Sequence, residues 1–329
     1  MRLALATAAL LACTATAHAA EWRVQKIDTP ARVNAIETVD GQVRVNAGGL
    51  WYRLALQDKS STLTFYDDMP EKMKLPDGAS PDSRVVTGKR DIARAWFAEP
   101  SSSYDHGILG EKTDPTALII ERTDGSRYTI KLGADAVFED VEPRLADLDG
   151  DGKDEIIVVK SYLARGSALA VIGERKGKYE IVAETPPLGA PHKWLNPAGI
   201  ADFNHDSRAD IAVVRQPHVL GQLELWSYVA GSLRKTAEMP DAGNHVSGSR
   251  ALKMSATADF DDDKTQDLVV PSLDRSRLRF LSFVPSHEIA SVELPAKAVT
   301  NLGLVAIENS PPAVVVGLAD GSLVVVRTD

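Results

Sequence analysis

The apolar residues of this chain fall in short runs that are separated by clusters of Gly, Asp, Asn and Ser. Residues 156–159 and 211–214 are uninterrupted apolar runs, whereas residues 223–228 and 278–283 mix apolar with polar side chains. Such runs, bounded by turn residues, predict β-strands. No stretch reaches the roughly 18 consecutive apolar residues that a membrane-spanning helix needs. The pattern therefore predicts an all-β fold without a transmembrane segment.

An acid-rich segment of nine residues occurs three times: loop one (147–155), loop two (202–210) and loop three (259–267). The first residues of the copies lie 55 and then 57 positions apart, and an apolar run follows each copy. One period holds roughly four predicted strands, which is the content of one β-propeller blade.

The three loops share a pattern of oxygen donors. Carboxylates or amides stand at positions 1, 3 and 5, and a carboxylate stands at position 9. Ca²⁺ takes six to eight oxygen ligands, and position 7 can add its backbone carbonyl. EF-hand loops end with Glu at position 12, but here position 12 is Val158, Val213 or Val270, so these are not EF-hands. The predicted ligands of one to three Ca²⁺ ions are Asp147, Asp149, Asp151, Lys153, Glu155, Asp202, Asn204, Asp206, Arg208, Asp210, Asp259, Asp261, Asp263, Thr265 and Asp267.

The motif Asp-x-Asp/Asn-x-Asp-Gly-x-x-Asp, followed by an apolar strand, resembles the FG-GAP (or VCBS-type) repeat of integrin α-chain propellers and exported bacterial proteins. The resemblance covers about residues 143–295. It implies a β-propeller whose acidic loops join the first and second strands of three blades and bind calcium. Ser207 and Lys264 replace the glycine at position 6, where a tight turn favours positive φ. We therefore expect loop one to be the best formed.

The remaining residues can be divided into further blades. Residues 31–66 and 84–133 each have the strands and turns of one blade. The last blade has only three strands of its own, and residues 22–27 could supply the fourth, which would remove an open edge. This division predicts six blades, with five or seven as alternatives. Residues 69–82, rich in Pro, Lys and Asp, predict a surface loop.

Composition and charge narrow the class of protein. The chain has 329 residues, of which 44% are hydrophobic and 25% charged, so it is globular rather than disordered. A net charge of −9 argues against nucleic-acid binding. We expect a monomer with an unidentified protein or glycan partner.

The first residues predict export. Arg2 precedes an apolar stretch at residues 3–12, and Ala17-His18-Ala19 has the small-x-small pattern of a cleaved signal peptide. The expected division is a signal peptide at 1–19 and one propeller domain at 20–329, in the periplasm or outside the cell. Alternatively, residues 10–13 resemble a lipobox, and acylated Cys13 would anchor the protein to a membrane.

Ligand-binding residues are harder to choose, and no catalytic motif is present. The segment with Trp96, Tyr104 and His106 could line a pocket at the axis, or it could be a long loop with a satisfied histidine. The face opposite the calcium loops would carry a second group, which could also be a solvated rim. That group consists of Lys160, His192, Trp194 and Arg215, with His218 and His245 nearby.

These observations favour a non-catalytic, calcium-stabilised binding protein. The alternatives are a calcium-dependent enzyme of phosphatase or polysaccharide lyase type and a cell-envelope adhesion or assembly module. Fold resemblance alone does not choose among them, because propellers host many unrelated functions.

Overall fold

The computed structural model describes residues 21–57, 60–65 and 74–328. These residues form strands and no helix, and the strands make six antiparallel sheets. The predicted all-β propeller is confirmed. Within the described residues there is no apolar helix of membrane-spanning length. The predicted signal peptide and residues 69–73 of the predicted surface loop lie outside the described residues.

The strands are numbered along the chain and the sheets are numbered I to VI. Strand β1 (Trp22–Ile27) belongs to sheet VI. Sheet I contains β2 (Val33–Val39), β3 (Gln42–Ala47), β4 (Leu50–Gln57) and β5 (Ser60–Phe65). Sheet II contains β6 (Val86–Thr87), β7 (Ile92–Ser101), β8 (Asp114–Arg122) and β9 (Arg127–Lys131). Sheet III contains β10 (Ala136–Phe138), β11 (Arg144–Ala146), β12 (Glu155–Tyr162), β13 (Gly166–Arg175) and β14 (Lys178–Glu184). Sheet IV contains β15 (Leu195–Ala201), β16 (Asp210–Arg215), β17 (Gln222–Val229) and β18 (Ser232–Met239). Sheet V contains β19 (Ala256–Ala258), β20 (Asp267–Pro271), β21 (Arg277–Phe283) and β22 (Ser286–Glu293). Sheet VI adds β23 (Gly303–Ile307), β24 (Ser310–Gly317) and β25 (Leu323–Thr328) to β1.

Sheet VI joins the two ends of the chain. Strand β1 pairs antiparallel with β25, from Trp22 opposite Thr328 to Ile27 opposite Leu323. The prediction that residues 22–27 complete the last sheet is therefore confirmed. This pairing covers the strand edge that β25 would otherwise expose.

Apolar side chains fill the spaces between neighbouring sheets. Large buried residues from both sheets meet at five of the junctions, as expected for β-branched strands that are buried on both faces. Between sheets I and II, Glu37 and Arg84 form an ion pair at 3.7 Å. The pairs that mark the five apolar junctions include Phe97 with Phe138, Ile157 with Ile211, Leu225 with Leu268, Phe280 with Val314, and Ile36 with Val325.

First strands of four sheets converge on a cavity of about 290 Å³. Val86 of β6, Arg144 of β11, Gly199 of β15 and Ser255, just before β19, all line it. Such a convergence of first strands marks the axis of the propeller. It also means that loops on either side of the first strands lie close to one another.

The first strand of sheet III is interrupted. Strands β10 and β11 both pair with β12, beside its last and its first residues respectively. The five intervening residues include three buried acids: Glu139, Asp140 and Glu142. The interruption therefore places buried carboxyl groups beside the axis.

Candidate metal loops and a ring-lined pocket

All three acidic loops lie between the first and second strands of their sheets, as predicted. In each loop the backbone N–H of position 6 donates a hydrogen bond to the Oδ2 atom of the position 1 aspartate. These bonds join Gly152 to Asp147 at 3.0 Å, Ser207 to Asp202 at 2.8 Å and Lys264 to Asp259 at 2.9 Å. The three sequences therefore fold into the same turn.

The side chains at positions 3 and 5 are held in the same way. The N–H of position 5 donates to the side chain of position 3 at 3.2, 2.9 and 3.2 Å in loops one to three. The N–H of position 7 donates to the side chain of position 5 at 2.8, 3.0 and 2.7 Å. Backbone donors thus orient the acidic side chains in all three loops, and in loop one the Arg90 guanidinium also lies 4.0 Å from Asp147.

The loops differ in how closely their oxygens converge. Within loop one, oxygen atoms of Asp147, Asp149 and Asp151 lie within 4.8 Å of one another. Oxygen atoms of Asp259, Asp261 and Asp267 do the same in loop three. In loop two the Asn204 amide instead donates to Asp210 at 3.1 Å. Loop three therefore matches loop one in convergence, although we expected loop one to stand apart.

The carboxyl group at position 9 has a raised pKa in all three loops. Burial, and then the neighbouring carboxylates, raise the pKa of Glu155 to about 7 and that of Asp267 to about 7. Burial likewise raises the pKa of Asp210 to about 6. Among the described residues, Oδ2 of Asp210 and the Oδ1 atoms of Asp259 and Asp267 are buried without a hydrogen-bond partner. Oxygen donors that repel one another and lack partners fit a bound Ca²⁺ ion.

Two positions of each loop adopt left-handed backbone conformations. Position 6 has φ of 87° at Gly152, 68° at Ser207 and 71° at Lys264. Position 4 is also left-handed, with φ of 59° at His205 and 63° at Asp262. The sequence predicted this conformation at position 6 only. The glycine at position 4 of loop one, Gly150, was the sequence signal for the left-handed conformation at position 4.

A second candidate site lies at the end of strand β16 that is farther from loop two. Strand β16 begins at the last residue of loop two and runs for six residues, or about 17 Å. The turn that follows β16 meets the segment before β15 and the long β7–β8 loop in a pocket of about 250 Å³. We call this the ring-lined pocket, and its lining includes His106, His192, Lys193, Trp194, Gln216, His218 and Val219.

His106 is oriented by a fully buried carboxylate. Its Nδ1–H donates to Oε1 of Glu139, whose Oε2 accepts from the Ser161 hydroxyl at 2.5 Å and the Ser167 hydroxyl at 3.3 Å. Glu139 lies in the interruption of the first strand of sheet III. Because Nδ1 is committed to Glu139, Nε2 is the ring nitrogen of His106 that remains for a ligand.

Trp194 and His218 form the other wall, and the buried His245 packs behind them. The Trp194 indole donates to the backbone carbonyl of Glu139 at 3.1 Å and lies parallel to the His218 ring, with centroids 6.4 Å apart. His245 donates from Nε2 to the carbonyl of Ser249 at 2.8 Å, so its Nδ1 accepts from His218 at 3.0 Å. Burial lowers the pKa of His245 to about 4 and also lowers that of His218. These imidazoles are therefore neutral at pH 7.

Uncharged acids lie behind the pocket. Burial, and then the charge of Glu139, raise the pKa of Asp114 to about 8. The same two causes raise the pKa of Tyr104, whose hydroxyl accepts from the backbone N–H of His192 at 3.1 Å. Both groups are mainly protonated at neutral pH, which limits the negative charge around Glu139.

The structure brings four of the predicted ligand residues together and separates three. Tyr104, His106, His192 and Trp194 surround the pocket. Trp96 is fully buried in sheet II, with the guanidinium carbons of Arg94 and Arg127 at 5.6 and 5.1 Å from its ring. Lys160 donates to Glu184 at 2.7 Å, and Arg215 donates to Glu224 at 2.9 Å.

Sequence reasoning missed Glu139, Lys193 and Gln216, of which only Glu139 stood in a noticeable acidic run.

The chain is similar to several solved structures. BBS1N in complex with ARL6DN has a TM-score of 0.43 and 11% identity, covering 88% of this chain and 75% of that chain. Rhamnogalacturonan lyase YesW has a TM-score of 0.47 and 13% identity, and the match covers 89% of this chain and 66% of that chain. The Tc holotoxin pore of Photorhabdus luminescens has a TM-score of 0.43 and 15% identity, covering 94% of this chain and 14% of that chain.

Sequence comparison agrees with the geometry of the loops. No curated protein sequence matches the chain significantly. The profile of the FG-GAP-like repeat family matches residues 147–213, which span loops one and two. The molecule is a β-propeller, and its central part carries an FG-GAP-like repeat.

Proposed function

We propose that this protein is an exported, calcium-stabilised β-propeller that binds a protein or glycan partner and catalyses no reaction. The observation that carries the proposal is the shared geometry of the three acidic loops. Each loop uses backbone N–H groups to hold acidic side chains in one place, and each has a position 9 carboxyl with a raised pKa.

A bound cation would offset the repulsion between the neighbouring carboxylates of each loop. The ligands would be the side chains at positions 1, 3, 5 and 9 and the backbone carbonyl of position 7. Because each loop connects the first strand of a sheet to the second, Ca²⁺ bound in the loops would stiffen the sheets around the axis. A stiff propeller presents its opposite face as a preformed binding surface, which lowers the ordering cost of binding.

Thermal unfolding tests the calcium part of the proposal. Calcium at ten times its dissociation constant should stabilise the fold by about 1.4 kcal/mol for each occupied loop. Magnesium should not substitute, because it demands small octahedral sites. The double variant Asp149→Ala, Asp151→Ala should lose part of the calcium shift. The control, Glu180→Ala with Glu293→Ala, removes the same charge from exposed outer strands and should keep the shift.

A melting temperature that is unaffected by calcium and chelator would overturn the proposal of calcium stabilisation. Export has its own test, which is the intact mass of the protein from its native cell envelope or medium. A chain starting at Ala20 supports signal-peptide cleavage, whereas an acylated start at Cys13 supports a lipid anchor. The full-length mass would contradict both routes.

A further inference from the structure

The ring-lined pocket carries polar groups that the fold does not use. Among the described residues, neither the Gln216 amide nor the Lys193 ammonium group has a hydrogen-bond or ion-pair partner. Nδ1 of His218 is a hydrogen-bond acceptor, because its Nε2 donates to His245, and Nε2 of His106 remains for a ligand because its Nδ1 is bonded to Glu139. The pocket therefore offers acceptors, an amide and one cation on a small concave surface.

Two residues of the pocket hold strained backbone conformations. His192 has φ of 61° and Gln216 has φ of 45°, a region where glycine is free of the steric cost that other residues carry. The backbone at both places is fixed by hydrogen bonds. The Gln216 N–H donates to the Trp194 carbonyl at 2.8 Å, and the Gln216 carbonyl accepts three N–H groups at 3.0 Å each. Glycine is therefore compatible with the backbone at both positions, so each side chain can be removed without loss of the local fold.

The size and shape of the pocket restrict its ligand. A volume of about 250 Å³ lies just below the range of about 300–1,000 Å³ that is usual for drug-sized ligands. Its flat walls come from two parallel ring pairs, His106 with His192 at 5.0 Å and Trp194 with His218 at 6.4 Å. A small ligand with an apolar face and a polar edge fits such walls.

The chemistry of the free groups favours hydroxyls. A hydroxyl suits all of these groups, because it can donate to an acceptor nitrogen and can accept from the Gln216 amide and from Lys193. A metal ion is disfavoured, because the acidic loops alone, among the described residues, gather three or more convergent His or carboxylate ligands.

We propose that the ring-lined pocket binds one uncharged sugar residue of a glycan through its hydroxyl groups. This inference rests on the proposed function as a binding protein and gives that function a ligand class and a site. The pocket lies at the end of β16 away from loop two. Sugar binding therefore needs no direct contact with calcium.

Saturation-transfer NMR on the mature protein tests this inference. The probes are glucose, galactose, mannose, xylose, rhamnose, fucose and N-acetylglucosamine, each at millimolar concentration. The variants His192→Gly and Gln216→Gly remove one side chain each and suit the left-handed backbone. Lys176→Gly is the matched control, since Lys176 also has positive φ (51°) and lies exposed in the hairpin between β13 and β14.

We expect transfer to at least one sugar with the wild type and with Lys176→Gly. Affinity should fall at least tenfold in His192→Gly and Gln216→Gly, while their melting temperatures equal or exceed that of the wild type. Absence of transfer to every probe, unchanged binding in both pocket variants, or tight uptake of Zn²⁺ that both variants abolish would each overturn the inference. The same titration in excess chelator separates the two proposals: sugar binding that persists there supports the pocket whatever the outcome for calcium.

Discussion

The indole of Trp22 lies over the ring of Phe280, with centroids 3.9 Å apart and an angle of 30° between the planes. Trp22 begins β1 in sheet VI, whereas Phe280 lies in β21 of sheet V. The first strand is therefore fixed twice, by its hydrogen bonds to β25 and by this ring contact. We expect closure of the propeller to depend on both contacts.

The ring contact predicts a large effect of Trp22→Ala. Removing the indole should lower the free energy of unfolding by about 2–3 kcal/mol, because it takes apolar area from the junction of sheets V and VI. Trp51→Ala is the control, since Trp51 lies in β4 and its indole has no ring partner among the described residues. Urea denaturation should show a clearly smaller loss for Trp51→Ala. Equal losses would contradict a special role of Trp22 in closure.

Glycine at position 6 of loops two and three should stabilise the protein. Ser207 and Lys264 have φ of 68° and 71°, which costs a residue with a Cβ atom about 1 kcal/mol. Ser207→Gly and Lys264→Gly should each raise the free energy of unfolding by up to this amount. Lys178→Gly, at the exposed first residue of strand β14, should instead lower it by about 0.5–1 kcal/mol. A loss of stability in all three variants would argue against the described loop conformation.

The buried imidazole of His245 predicts a dependence of stability on pH. Burial lowers its pKa to about 4 in the folded protein, against about 6.5 for an unperturbed histidine. The neutral ring donates to Ser249, and its charged form is opposed by burial and by nearby His218 and Arg275. The unfolded chain therefore binds the extra proton first, and stability is lost as the pH falls from about 6.5 towards 4.

The variant His245→Gln isolates this effect, since Gln can still donate to the Ser249 carbonyl but does not titrate. The difference in unfolding free energy between wild type and variant should shrink by up to about 3 kcal/mol between pH 7 and pH 4. Denaturant titrations at a series of pH values measure it. A difference that is independent of pH would show that His245 is not buried in neutral form.

Prediction from sequence succeeded where a single local rule decides the structure. The β-branched runs, the acidic repeat and the closing strand at residues 22–27 each follow from composition and spacing, and the strands and loops lie where they were expected. The ring-lined pocket depends instead on three segments that are far apart in sequence. No local pattern links His106 with Gln216, and the bond between His106 and Glu139 follows only from the interrupted first strand of sheet III.

The replacement of glycine at position 6 by Ser207 and Lys264 was a weaker guide to the geometry of the loops. Lys264 led us to expect a third loop less well formed than loop one, but its backbone is also left-handed, with φ of 71° against 87° at Gly152, and three carboxylates converge within 4.8 Å in both loops. The amide of Asn204, which looked equivalent to an aspartate, bonds to Asp210 and sets loop two apart. Strain at one residue was thus accommodated, whereas a change of one ligand atom altered the site.

Calorimetric titration of chelator-treated protein (residues 20–329) with Ca²⁺ measures directly whether the acidic loops bind the ion. We expect binding with a dissociation constant of about 10⁻⁴–10⁻³ M, the usual range for extracellular modules. Asp147→Asn and Asp259→Asn should each remove one binding event, and Asp202→Asn should have the smallest effect. Absence of calcium binding up to millimolar concentrations, or binding that survives both the Asp147→Asn and Asp259→Asn changes, would contradict the account.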